Sequence, residues 1–68
     1  MEQFKIKGDI IFLNQLLKAM AWCETGSQAN AAIEEGLVKV NGKVELRKRN
    51  KLAIGAKIEF EQNKVELI

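Results

Sequence analysis

Asn41-Gly42 is the feature that most narrows what this chain can become. A residue pair that accepts positive φ at both positions sits between two short runs with a period of two. Val38 and Val40 alternate with Lys39 before it, and Val44 and Leu46 alternate with Lys43, Glu45 and Arg47 after it, which predicts an antiparallel hairpin. If the valines and Leu46 turn toward the rest of the protein, Lys39, Lys43 and Arg47 are expected to share the opposite side. The run Arg47-Lys48-Arg49-Asn50-Lys51 then extends that positive edge as a loop.

Ahead of the hairpin the period changes. Phe4 and Ile6 alternate with Lys5 and Lys7, suggesting a short strand that stops at Gly8, after which Asp9 can cap a helix. On a helical wheel of residues 10–23, Ile10, Leu13, Leu16, Leu17, Met20 and Ala21 fall in one sector and Asn14, Gln15 and Lys18 lie opposite, so that stretch reads as an amphipathic helix. Thr25 followed three residues later by Gln28 is a capping-box pattern that opens a second helix, with Gly26 in its first turn. Ala29, Ala32 and Ile33 give this helix a narrow apolar stripe, Glu34 and Glu35 face water, and Gly36 can take the left-handed conformation that closes it. Two further strands are expected around 57–61 and 64–68, with Ile58, Phe60, Val65 and Leu67 inward and a turn at Gln62-Asn63. With no proline and no Gly/Ser-rich stretch, residues 1–68 read as one continuous unit of the α+β class, two antiparallel helices against a small sheet.

Charge is distributed unevenly. The net value is only +2, yet residues 39–57 hold seven basic side chains against Glu45 alone, so +6 sits in that segment and −4 in the remainder. Such asymmetry on a small body makes one positive surface, which concentrates phosphate-bearing partners. There is no histidine, and Cys23 stands alone, which excludes an internal disulfide, a Cys/His zinc site and a histidine general base. The acids are scattered without metal-site or paired-acid spacing, and no glycine-rich phosphate loop occurs, so neither an enzyme nor a cofactor is expected. Cys23 reads as a small buried filler. Trp22 falls on the polar sector of the first helix, where it could stack on a base, but a tryptophan at a helix end more often folds back over the core. The longest apolar run, Ile10 to Leu13, is far shorter than the ~20 residues a membrane helix requires, so a cytoplasmic protein without membrane contact is expected.

Read together, Leu13, Leu17, Ala21, Thr25, Ala29, Ile33, Gly36, the segment Val38-Lys39-Val40-Asn41-Gly42 and the later Gly55-Ala56-Lys57-Ile58 resemble the S4 RNA-binding domain, from about Phe12 to Phe60. The resemblance is to the small stand-alone members of that family. It implies the S4-like (αL) fold and binding of structured RNA of the ribosomal or transfer type; a monomer is expected. Two departures stand out. Phe12-Leu13-Asn14 occupies the place where many members have Arg-Leu-Asp, and Thr25-Gly26 the place of Ser/Thr-Arg, so two arginines that commonly contact RNA are missing.

The remaining candidates for RNA contact are therefore Lys39, Lys43, Arg47, Lys48, Arg49 and Lys51 on the hairpin and loop. Thr25, Ser27 and Gln28 join them at the start of the second helix, where free backbone N–H groups suit a phosphate oxygen. The same basic surface would equally serve an adaptor that docks on an acidic protein.

Overall fold

Ile10, Ile11 and Phe12 are β-branched or aromatic, and the computed structural model, which describes residues 1–68, uses them as a strand and not as a helical turn. In chain order the elements are β1 (Glu2–Phe4), β2 (Ile10–Phe12), α1 (Leu13–Ala19), α2 (Gly26–Glu34), β3 (Val38–Val40), β4 (Lys43–Val44), β5 (Lys51–Ala53), β6 (Lys57–Phe60) and β7 (Asn63–Leu67). Five strands form one sheet in the order β1-β7-β6-β3-β4, with β1 parallel to β7 and the other pairs antiparallel. A separate two-stranded sheet pairs β2 with β5, placing Ile10 opposite Ala53 and Phe12 opposite Lys51.

The first helix is accordingly shorter than its apolar pattern predicts. It starts at Leu13, so Asp9 does not cap it, and Ile10 is exposed instead of lying on the buried stripe. Pairing with β5 satisfies the backbone of residues 10–12, which outweighs one more helical turn. The helix ends after Ala19 because Ala21 turns left-handed at φ +61°. Its N–H donates to Lys18 O and that of Trp22 to Leu17 O, a Schellman closure that satisfies carbonyls with no intrahelical partner. The second helix closes by the same motif, with Gly36 at φ +79° and the N–H groups of Gly36 and Leu37 donating to Ile33 O and Ala32 O. Thr25 caps its start as expected: Oγ1 accepts from Gln28 N, while Gln28 Oε1 accepts from Glu24 N.

The core lies between the helix pair and the inner face of the sheet. Leu13, Leu16 and Leu17 of α1 and Ala29, Ala32 and Ile33 of α2 pack with Val38, Ile58, Phe60, Val65 and Leu67, and Leu52 enters from β5. Trp22 folds back onto this core, stacked on Phe60 with ring centroids 6.3 Å apart, and does not stand on the helix's polar side. Cys23 is buried.

The hairpin forms at Asn41-Gly42, both at positive φ, and Asn41 further ties the turn to β6 through its backbone N–H to Lys57 O and its Oδ1 from Lys57 N. Its facing differs from the expected one. A two-residue turn makes Val40 pair with Lys43 and Lys39 with Val44, so Lys39 and Lys43 leave opposite faces of the ribbon. Counting alternate residues through the turn misassigns the second strand by one. Val44 and Leu46 consequently lie on the outer face, exposed, not against the helices. The last two strands occur as expected, with the turn one residue earlier, at Glu61-Gln62, where Glu61 adopts φ +57°.

The two helix ends make a matched test of backbone strain. A Cβ at Gly36 would meet only ordinary contacts, 3.7 Å from Val44 and 3.9 Å from Leu46, so the cost there is conformational. Ala21→Gly should stabilise the protein by about 1 kcal/mol and Gly36→Ala destabilise it by about 1–2 kcal/mol, seen as opposite shifts of the urea midpoint at unchanged m.

Candidate nucleic-acid interface

The loop from Arg47 to Asn50 connects β4 to β5 and is held by its carbonyl groups. Phe12, at the N-cap of α1, has no side-chain oxygen to accept the first helical N–H groups. Lys48 O and Asn50 O do so instead, accepting from Asn14 N at 3.0 Å and Leu13 N at 2.9 Å. Asn50 N also donates to Arg47 O at 3.2 Å, closing the turn on itself. The α1 amides are thereby engaged by the protein's own backbone, and the loop carbonyls point inward while the cationic side chains are left outside.

Three of those cations converge. The Arg49 guanidinium lies over the Phe12 ring, 4.8 Å from its centroid. Arg47 Nε donates to Glu45 Oε2 at 3.0 Å, and the same oxygen accepts from Arg47 N, so one carboxylate fixes both the side chain and the backbone of the arginine. Only Nε is engaged, which leaves the two terminal amino groups of the guanidinium, in a side chain 78% exposed, to meet a ligand. Lys51 is opposite Phe12 in the β2–β5 register and leaves the small sheet on the same face. Arg47, Arg49, Asn50 and Lys51 line an open hollow of about 400 Å³ with no acidic side chain in its wall.

Lys48 is turned elsewhere, its Nζ 3.6 Å from Glu34 Oε2 at the end of α2. Lys43 shares the face of Val40, which lines a cleft together with Asn50 and Lys51, and so stands on the loop's side of the ribbon. Lys39 is on the other face, opposite Glu59, whose carboxylate is paired with Lys64 at 3.6 Å. Thr25, Ser27 and Gln28 lie at the far end of α2 from the Glu34–Lys48 contact, roughly 13 Å away by the rise of nine helical residues. Thr25 Oγ1 and Gln28 Oε1 act there as capping acceptors, and Ser27 is exposed. Sequence reasoning missed Phe12 and Glu45, the two residues that aim the arginines. Glu45 two positions from Arg47 was a visible signal; Phe12 became one only with the β2–β5 pairing.

The chain matches the S4 domain over residues 4–68 and belongs to that family. YbcJ of Escherichia coli K12, a proposed RNA-binding protein, is 46% identical over 56 residues, covering 82% of this chain and 80% of its own length. YbcJ of Shigella flexneri matches to the same extent. The solution structure of the Escherichia coli protein, described as revealing an αL motif involved in RNA binding, superposes with a TM-score of 0.76 at 42% identity, covering 100% of this chain and 87% of that one.

Hydrogen bonds from Arg47 hold the Glu45 carboxyl below its usual range. The pair is therefore intact through neutral and mildly acidic pH and is lost only as pH falls through that lowered value. In an NMR pH titration Glu45 should show a midpoint below the ordinary value of a free glutamate side chain, and Arg47→Gln should raise it. Cys23 behaves oppositely: burial, with a smaller contribution from Glu61, raises its thiol pKa. At neutral pH it should react with a maleimide much more slowly in the folded protein than in denaturant.

Proposed function

We propose that the protein is a non-enzymatic, cytoplasmic RNA-binding module that acts as a monomer on structured RNA of the ribosomal or transfer type. The observation that carries this reading is the acid-free hollow of Arg47, Arg49 and Lys51, in which two guanidinium groups are already oriented by Glu45 and Phe12. Planar forks held in place lose little freedom on accepting phosphate oxygens, and a guanidinium matches two of those oxygens at once. Membership of the S4 family and the likeness to YbcJ support RNA as the polyanion.

Lys43 extends the contact along the ribbon. At the other end of α2, the N–H groups of Gly26 and Ser27, with the hydroxyl groups of Thr25 and Ser27 and the Gln28 amide, supply a second position for a phosphate. Lys39 and Lys48, turned away from the hollow, contribute to the long-range field that steers RNA in. Contacts of this kind read the phosphate backbone and its shape. The deep, narrow major groove of an RNA duplex is closed to such side chains, so folded RNA is favoured over a linear sequence.

Anisotropy titrations of a fluorescent RNA hairpin over a range of salt concentrations test this. Arg47→Gln, Arg49→Gln and Lys51→Gln together should weaken binding at least tenfold and reduce the magnitude of the log-log salt slope by about 2–3, whereas Lys48→Gln alone should change the slope by less than 1. Unchanged affinity and slope in the triple variant, with circular dichroism showing an intact fold, would overturn the assignment. Partners retained from lysate after complete ribonuclease digestion would point instead to an adaptor for an acidic protein.

A further inference from the structure

Three of the four lysines outside the basic segment, Lys5, Lys7 and Lys18, come together in the folded chain. Ile6 is buried and its N–H donates to Ile68 O, while Phe4 O accepts from Ile68 N. Those bonds fix the segment after β1 so that Lys5 and Lys7, on either side of Ile6, remain exposed. Lys18 reaches the same place from the outer side of α1. Between them lies a cleft of about 410 Å³ whose apolar lining includes Phe4, Ile10 and Ile11.

Two properties distinguish this cleft from an ordinary solvated surface. None of the three ammonium groups has an acidic partner: the ion pairs of the protein are Arg47–Glu45, Lys48–Glu34 and Lys64–Glu59, and no acid lines the cleft. Beneath the charges, Phe4 and Ile11 are half-buried and Ile10 is 42% exposed, so the floor of the cleft offers apolar surface directly beside three cations. Gln15, also on the wall, uses Oε1 to accept Phe12 N and keeps its amide NH2 to donate. An apolar floor, a cationic rim and one amide donor match a planar base joined to a phosphate.

The cleft also adjoins the basic hollow. Ile10 and Ile11 line the one and Phe12 carries Arg49 at the other, so a single three-residue strand, about 10 Å long, separates them.

We propose that the cleft between the post-β1 segment and α1 seats one unpaired nucleotide of the bound RNA, its base on Phe4, Ile10 and Ile11 and its phosphate on Lys5, Lys7 and Lys18. This rests on the RNA-binding reading above and adds a preference for duplexes flanked by single-stranded nucleotides.

Two measurements test it. In the first, adenosine 5′-monophosphate is titrated into the protein and followed by NMR. Shifts should centre on Phe4, Ile11 and Lys18, weaken at least tenfold in the combined variant Lys5→Gln, Lys7→Gln, Lys18→Gln, and persist in the Arg47, Arg49, Lys51 variant. In the second, a blunt RNA duplex is compared with the same duplex carrying a three-nucleotide 3′ overhang. The wild type should bind the overhang about five- to tenfold more tightly, and the lysine variant should lose that gain while keeping most of its affinity for the blunt duplex. Ile10→Ser, an exposed change that spares the core, should reduce the gain without touching charge. No shifts at the cleft, or shifts and an overhang gain that survive the lysine variant, overturn the proposal. Cleft shifts with the mononucleotide but no binding of either duplex would instead overturn the RNA reading and leave a nucleotide site.

Discussion

Two hydrogen bonds from the start of α1 to the carbonyls of Lys48 and Asn50 tie the candidate surface to the core. The helix begins at a phenylalanine that cannot cap it, and the loop contains a turn that would otherwise be free to move. Each supplies what the other lacks. Leu13 donates one of these bonds from its backbone while its side chain is fully buried, so the loop is anchored one residue away from the centre of the hydrophobic cluster. A basic loop without such an anchor would lose much of its phosphate affinity to the entropy of ordering four long side chains.

The same economy governs the helices. Alanines at 29 and 32 bring α2 close to α1, and Asn14 Nδ2 donates to Asn30 Oδ1 at 3.1 Å across the pair, so the polar edge of the contact is satisfied as well as the apolar one. No buried side-chain nitrogen or oxygen is left without a partner. A core of fourteen buried residues leaves little margin, and each unpaired polar atom would consume a sizeable part of it. The arginines are aimed by groups at the edge of this core, a largely covered Glu45 carboxylate and a half-buried Phe12 ring, while the Arg47 guanidinium stays outside.

Much of this was legible in the amino-acid order. Asn41-Gly42, the Thr25/Gln28 cap, the Ala29-Ala32-Ile33 stripe and the closing Gly36 all carry local chemistry that only one backbone conformation satisfies, and each appears where that chemistry requires. Misreadings arose where distant pairing decided the outcome. Ile10 fits the apolar sector of a helical wheel, and only the presence of Lys51–Ala53 beside residues 10–12 makes a strand there. The facing of Lys39 and Lys43 depended on pairing across a turn, not on alternation along one strand. For the loop, composition identified the cations but not their directions: Lys48 is indistinguishable from its neighbours in sequence, and a glutamate from another element turns it aside. Alternation relates Lys5 to Lys7, but nothing joined Lys18 to them, since ten residues lie between Lys7 and Lys18 and neither helix nor strand periodicity spans that gap.

The parallel pairing of β1 with β7 carries a consequence for biosynthesis. β1 has no strand to pair with until residues 65–67 have been made, because Glu2 aligns with Val65 and Phe4 with Leu67. Residues 12–51, by contrast, include both helices, the hairpin and the anchored loop, whose partners lie closer along the chain and can assemble sooner. The arginine-bearing loop can therefore close on α1 while β1 still lacks its partner strand, and the two regions take shape at different moments.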